Sequence, residues 1–169
     1  MKFNVVLVEP EIPQNTGNIS RTCAATGCDL HLVRPLGFEI TDRHLKRAGL
    51  DYWDKLNIFY YDSFEELLRK FPDRNFYFYT TKAQQNYAEV SYRDGDFLVF
   101  GKETKGLPEA LIHEHYDTAA RIPMFGQIRS LNLSNSVAIV VYEAFRQNDF
   151  GGLNEIGHLT DPQWGGSGK

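Results

Sequence analysis

Sulfur is scarce in this sequence. Of 169 residues only Cys23 and Cys28 are cysteines, too few for a disulfide framework and spaced unlike a zinc site, so a reducing, cytoplasmic setting is expected. Long apolar runs are missing too. None approaches the roughly 20 residues that a membrane span needs, and strand-like residues 3–8 come directly after Met1 and Lys2, so neither an export signal nor a membrane partner is expected. Positive charge is in deficit, with 18 Lys and Arg against 22 Asp and Glu and a formal net charge of −4. That balance excludes a protein that coats nucleic acid through bulk electrostatics, while a local basic patch aimed at phosphates stays open. The common nucleotide and hydrolase signatures are absent as well. Leu107 and Pro108 follow Gly106 where a phosphate-binding P-loop needs lysine and a hydroxyl residue, no Rossmann glycine fingerprint occurs, and no serine sits in a nucleophile elbow. His113 and His115 are two apart, unlike the four-residue interval that puts two zinc ligands on one helix face, so no metal is expected.

What remains suits one ordinary domain. With 42% hydrophobic residues, a chain of this length buries a core without metal or disulfide support. The domain is expected over residues 1–152, with a flexible tail over 153–169 where glycine, proline and polar residues gather. Residues 3–8 read as a buried strand, followed by the rigid loop Glu9-Pro10-Glu11-Ile12-Pro13 and a helix that Asn15 or Thr16 can cap and Gly27 ends. Further strands are predicted at 30–33, 56–61, 76–79, 97–100 and 119–122. Helices are predicted at 42–48, at 63–70 behind the capping box of Ser63 and Glu66, at 108–114 and at 133–145. The aromatic quartet at 76–79 has the chemistry to stack bases, but four successive strand aromatics fit a core better. Strands apolar on both sides, alternating with helices, predict an α/β fold: a mostly parallel sheet with helices on both faces.

Three segments carry candidate chemistry. Asn15-Thr16-Gly17-Asn18-Ile19-Ser20-Arg21 follows the first strand, at the carboxyl end where α/β sheets present ligands. Alone it reads equally as a helix cap, and Arg21 adds a cation one to two turns into the helix. Gly101-Lys102-Glu103-Thr104-Lys105-Gly106-Leu107-Pro108 leaves another strand end, its two glycines allowing a close backbone approach to a ligand, though an ordinary strand-to-helix turn has the same look. Arg121-Ile122-Pro123-Met124 and Ser130-Leu131-Asn132-Leu133-Ser134-Asn135-Ser136 put more hydroxyl and amide groups ahead of a buried helix than one cap requires. With Ile122, Met124 and Leu131 as apolar walls, that mixture suits a cofactor pocket. The densest cationic stretch holds Arg43, Lys46 and Arg47 at helical spacing, either a solvated face or a grip on phosphates.

In this order and at these separations, the three segments resemble the SPOUT superfamily of RNA methyltransferases, in its SpoU or TrmH-type branch. The resemblance covers about residues 3–152 and is carried by Glu9-Pro10-Glu11-Ile12-Pro13-Gln14-Asn15-Thr16-Gly17-Asn18-Ile19, by Gly49-Leu50-Asp51-Tyr52 and by Ser130-Leu131-Asn132-Leu133-Ser134-Asn135. It implies a C-terminal trefoil knot, the SPOUT α/β knot, in which about residues 79–145 thread through a loop. It also implies a homodimer, with the C-terminal helix at the interface and the first motif of one subunit reaching the other's cofactor. The apolar second face of residues 133–145 agrees with that. The implied cofactor is S-adenosylmethionine, held by Tyr79, Gly101, Ile122 and Ser130 with Met124 and Leu131 beside them; Tyr79 stands where leucine is commoner in the family. Arg21 matches the arginine proposed as catalytic, with Ser130, Asn132 and Asn15 as orienting groups. The implied substrate is the anticodon stem-loop of tRNA, and the cationic spacing of Arg43, Lys46 and Arg47 makes them the residues expected to grip its backbone.

The implied reaction is 2'-O-methylation of ribose at wobble nucleotide 34, either cytidine or the carboxymethylaminomethyluridine of tRNA-Leu. A sulfonium methyl group is already electrophilic, so the protein must chiefly align a ribose 2'-oxygen behind it, with no metal. Needing that hydroxyl selects RNA over DNA. An arginine is charged at any physiological pH, so stabilising the developing alkoxide and gripping a phosphate suit Arg21 better than general base catalysis. Alternative readings are transfer to another tRNA or rRNA site, a non-catalytic RNA-binding module, and a small-molecule α/β enzyme.

Overall fold

A computed structural model describes residues 1–41, 43, 47 and 54–164. Seven strands form a sheet in the order β3-β2-β1-β6-β4-β7-β5. They are β1 (Asn4–Val8), β2 (Asp29–Val33), β3 (Ile58–Tyr61), β4 (Phe76–Tyr79), β5 (Gln85–Asn86), β6 (Phe97–Phe100) and β7 (Ala119–Arg121). Every pairing between them is parallel. Helices α1 (Pro13–Thr26), α2 (Phe64–Lys70), α3 (Glu109–Glu114) and α4 (Leu133–Gln147) cover the two faces. Arg43 and Arg47 both have helical backbone, while Lys46 and the run Gly49-Leu50-Asp51-Tyr52 lie outside the described residues.

The two-residue period of a strand divides the core into two halves. From β1, Val5 and Leu7 pack with Ile19 and Cys23 of α1 and with Val137, Val140 and Val141 of α4. Val6 and Val8 point the other way, to Phe64 and Leu67 of α2 and Ile112 of α3. The aromatic quartet of β4 is core, as predicted: Phe78 is wholly buried, and Phe76 stacks on Phe97 with centroids 4.6 Å apart. Both cysteines are free and buried, and burial pushes the Cys28 thiol up to about 11.

Gly27 ends α1 in left-handed backbone (φ 74°), as its position predicts. The start of α1 differs from the sequence reading. Pro13 occupies the first turn behind Ile12, whose side chain cannot cap, and Asn15 and Thr16 lie inside the helix, buried. Proline's fixed φ is preorganised for that place, and the exposed amides are served from another loop, described below. The two-residue β5 was not legible, because nothing local marks a strand so short.

Because the strands run in parallel, their carboxyl ends share one edge. The chain runs outward from β1 through β2 to β3, while β6, β4 and β7 lie on its other side. Ligands in such sheets bind outside the carboxyl ends where the strand order reverses. The loops leaving β1, β4, β6 and β7 all emerge there.

Candidate active site

Over that edge lies a cleft of about 520 Å³, within the usual range for a cofactor or small-molecule site. Its walls include all six residues predicted to hold the cofactor: Tyr79, Gly101, Ile122, Met124, Ser130 and Leu131. Asn15 and Asn132 line it as well. Three segments separated by up to 117 positions therefore meet at one place, as the direct contact between Asn15 and Asn132 demonstrates.

Gly101 is required by its own loop. A Cβ there would stand 2.1 Å from the Gly106 carbonyl carbon and 2.2 Å from the Leu107 nitrogen, because the Gly106 amide folds back to donate to the Lys102 carbonyl at 2.9 Å. Gly106 itself adopts φ 68°, where a side chain is strained. The close backbone approach read from these glycines is thus made within the loop, which shapes the cleft wall. Tyr79 contributes little polar chemistry to the cleft. Its hydroxyl donates to the Tyr92 hydroxyl at 2.9 Å, which donates in turn to the Tyr87 carbonyl at 2.7 Å, and its ring stacks on Phe100 at 4.8 Å. Burial raises the pKa of the Tyr79 phenol well above its ordinary value and keeps it protonated. Tyrosine is accommodated here because Tyr92 satisfies the hydroxyl that leucine would not bring.

A polar relay joins the three segments. The Glu103 carboxylate accepts from the Glu11 amide at 2.8 Å and the Ile12 amide at 3.0 Å, and stands 3.4 Å from the Asn15 side-chain nitrogen. It thus supplies the cap that α1 lacks locally. Glu11 returns the contact by accepting from the Thr104 amide at 3.2 Å and its hydroxyl at 2.9 Å. On the far side, the Asn132 amide donates to the Asn15 side-chain oxygen at 3.1 Å, and its own oxygen caps α4 by accepting from the Ser134 amide at 2.9 Å. Asn15 and Asn132 are each held at both ends of the amide, so neither is free to turn.

Arg21 does not line the cleft. Six residues beyond Asn15, it is turned about 240° around the helix and is exposed. Arg43 and Arg47 are exposed and four apart on helical backbone, the spacing that shares one face. The sequence reading missed Glu103, Lys82 and Arg129, all in the cleft wall. Glu103 lay inside a motif already singled out, but its partners are some 90 residues earlier and no local pattern points to them. Among the described residues no group of three His, Cys, Asp or Glu is placed to hold a metal ion.

The model of the SpoU rRNA methylase family matches residues 2–142. The chain belongs to the SpoU methylase family. A tRNA (cytidine(34)-2'-O)-methyltransferase of Saccharophagus degradans is 48% identical over 151 residues, covering 89% of this chain and 98% of the relative. A solved structure described as giving insight into the 2-OH methylation of C/U34 on tRNA is 43% identical, with a TM-score of 0.84 over 88% of this chain and 97% of that one. The AdoMet-bound rRNA methyltransferase of Sinorhizobium meliloti is 27% identical, with a TM-score of 0.78 over 86% of this chain and 56% of that one.

Proposed function

We propose that this chain is an S-adenosylmethionine-dependent tRNA ribose 2'-O-methyltransferase that modifies wobble nucleotide 34, acting as a homodimer in the cytoplasm. The observation that carries the reading is the meeting of the Asn15, Gly101 and Ser130 segments on one cleft, in a family of methyltransferases with full-length relatives named for that activity. The cleft suits the donor: Ile122, Met124 and Leu131 offer apolar wall, while backbone and hydroxyl groups at Gly101 and Ser130 offer hydrogen bonds. Tyr79, Gly101, Ile122, Met124, Ser130 and Leu131 would hold it. When bound, S-adenosylmethionine supplies a methyl group on positively charged sulfur, electrophilic without further activation.

The chain's own residues then have to orient a ribose. Asn132 and Asn15, fixed by the relay through Glu103, present amides at the rim, and Ser130 adds a hydroxyl beside them. Arg21 supplies a cation for the developing alkoxide and a neighbouring phosphate. Its turn away from the cleft of its own chain fits action in the partner's site. A homodimer through α1 and α4 would provide that, and Ile139 and Tyr142 leave apolar surface on α4, 36% and 46% exposed. The knot belongs to the same proposal. β6 lies between β1 and β4, and β7 between β4 and β5, so late strands insert between earlier ones, as a threaded C-terminal half requires. Arg43, Lys46 and Arg47 would grip the anticodon stem-loop backbone.

The test is transfer of a labelled methyl group to tRNA from cells that lack this enzyme, with nucleosides mapped by mass. A single 2'-O-methyl ribose at position 34 is the predicted product. Methylation of a base, or of a different ribose, contradicts the reading.

A further inference from the structure

The loop after β7 divides its residues between two environments. Met124, Arg129, Ser130 and Leu131 line the cleft, but the tip between them stands clear, with Phe125 97% and Ile128 64% exposed and Gly126 turning the chain at φ 65°. Among the phenylalanines, the next most exposed is Phe59 at 42%. A ring held wholly in water forgoes the burial that usually fixes it, so a partner outside this chain is the physical reason to place one there.

The charges around it indicate which partner. Lys82, Lys102, Lys105 and Arg129 line the cleft beside this loop, against the single carboxylate of Glu103, which the amides at Glu11 and Ile12 already engage. Lys82 is paired with Glu109 and Lys102 with Glu9. Lys105 and Arg129 make no ion pair among the described residues. An apolar protein surface closing on Phe125 would have to desolvate those cations, whereas a nucleotide offers a π face to the ring and a phosphate to the guanidinium. We propose that Phe125 is a positioning residue that stacks on a base of the RNA substrate at the mouth of the cleft, with Arg129 on the adjoining phosphate. The stack fixes the nucleotide so that its ribose enters beside Ser130 and Asn132. The inference rests on the RNA methyltransferase reading.

The experiment uses unmodified tRNA transcript with saturating S-adenosylmethionine. Phe125→Ala is expected to lower kcat/KM for tRNA roughly tenfold to a hundredfold, the range measured for losing one aromatic stack, mostly through KM, with cofactor affinity by calorimetry within about twofold of wild type. Phe125→Trp restores the rate, and its added indole emission is quenched when tRNA binds. Phe125→Leu, equally apolar but without a π face, does not restore it. Wild-type kcat/KM in Phe125→Ala, or equal rescue by Leu and Trp, overturns the stacking role. So does conversion of the Phe125→Ala protein to monomer by light scattering, which would make the ring a contact between copies. If the wild type binds the cofactor yet methylates no RNA, the RNA reading itself fails and this inference falls with it.

Discussion

Replacing Glu103 by glutamine tests the relay that joins the three segments. The native carboxylate accepts two backbone amides, from Glu11 at 2.8 Å and Ile12 at 3.0 Å, at the entrance to α1, where the positive end of the helix adds to the attraction. Glutamine keeps one acceptor oxygen, and its amide group then confronts the second N–H. Hydrogen bonds to a charged group contribute about 1.5–3 kcal/mol each. Partial exposure of the site puts the net loss near the low end, about 2 kcal/mol. In urea that is a fall of about 1 M in the unfolding midpoint with unchanged slope. Catalysis should suffer as well. Asn15 loses its anchor and Asn132 loses Asn15, so kcat/KM is expected to fall at least about tenfold, the effect of roughly 1.4 kcal/mol of transition-state stabilisation. A double-mutant cycle with Asn132→Ala is expected to give a coupling energy above about 0.5 kcal/mol, as for residues in one network. A Glu103→Gln protein with wild-type midpoint and kcat/KM, or strictly additive losses in the cycle, would refute the relay.

Other expectations follow from the same structure. Arg21→Ala is expected to abolish methyl transfer while calorimetry finds cofactor binding intact, and mixing it with an inactive Gly101→Ala protein should recover activity if each site borrows Arg21 from its partner; no recovery argues for action within one chain. Gly101→Ala should by itself weaken S-adenosylmethionine binding more than about tenfold, since the added carbon meets loop backbone at 2.1 Å, and unchanged affinity would contradict that packing. His31 is buried with Nδ1 2.9 Å from the Tyr61 hydroxyl and Nε2 3.0 Å from the Asn4 side-chain oxygen, and burial holds its imidazole down at about 4 against an ordinary 6.5. The unfolded chain takes that proton more readily, so the stabilisation is complete above pH 6.5 and is lost as pH falls towards 4, up to about 3 kcal/mol in all. Denaturant midpoints for wild type and His31→Gln between pH 4.5 and 7 should therefore differ in slope, and parallel profiles would contradict this. Removing Arg43, Lys46 and Arg47 together should weaken tRNA binding and flatten its salt dependence, whereas an unchanged slope would remove them from the RNA interface.

Much of the fold was legible because its signals are local. The alternation of apolar runs and amphipathic stretches placed six of the seven strands and located α1 to α4. The Ser63 half of the expected capping box is present, its hydroxyl accepting from the Glu66 amide at 3.2 Å, while the Glu66 carboxylate reaches one residue further back and accepts from the Asp62 amide at 2.7 Å. The start of α1 was misread because its cap is Glu103, far along the chain, and a run such as Asn15-Thr16 looks like a cap whether or not it serves as one. Residues of the cleft wall were legible in the sequence to the extent that residue type reveals chemistry. Ile122, Met124, Ser130 and Leu131 carry the mixture a pocket needs, whereas Glu103, Lys82 and Arg129 come to the cleft wall only through where the fold puts them. Gly101 was rightly singled out for a close approach, but the partner of that approach is the loop backbone at Gly106.

A crystal structure of the protein with S-adenosylhomocysteine addresses the core of this account. The product is expected in the cleft between Gly101, Ile122 and Ser130, its sulfur facing the rim where Asn15 and Asn132 meet and the partner's α1 close by. Product bound at any other place on the chain, with that cleft left unfilled, would contradict it.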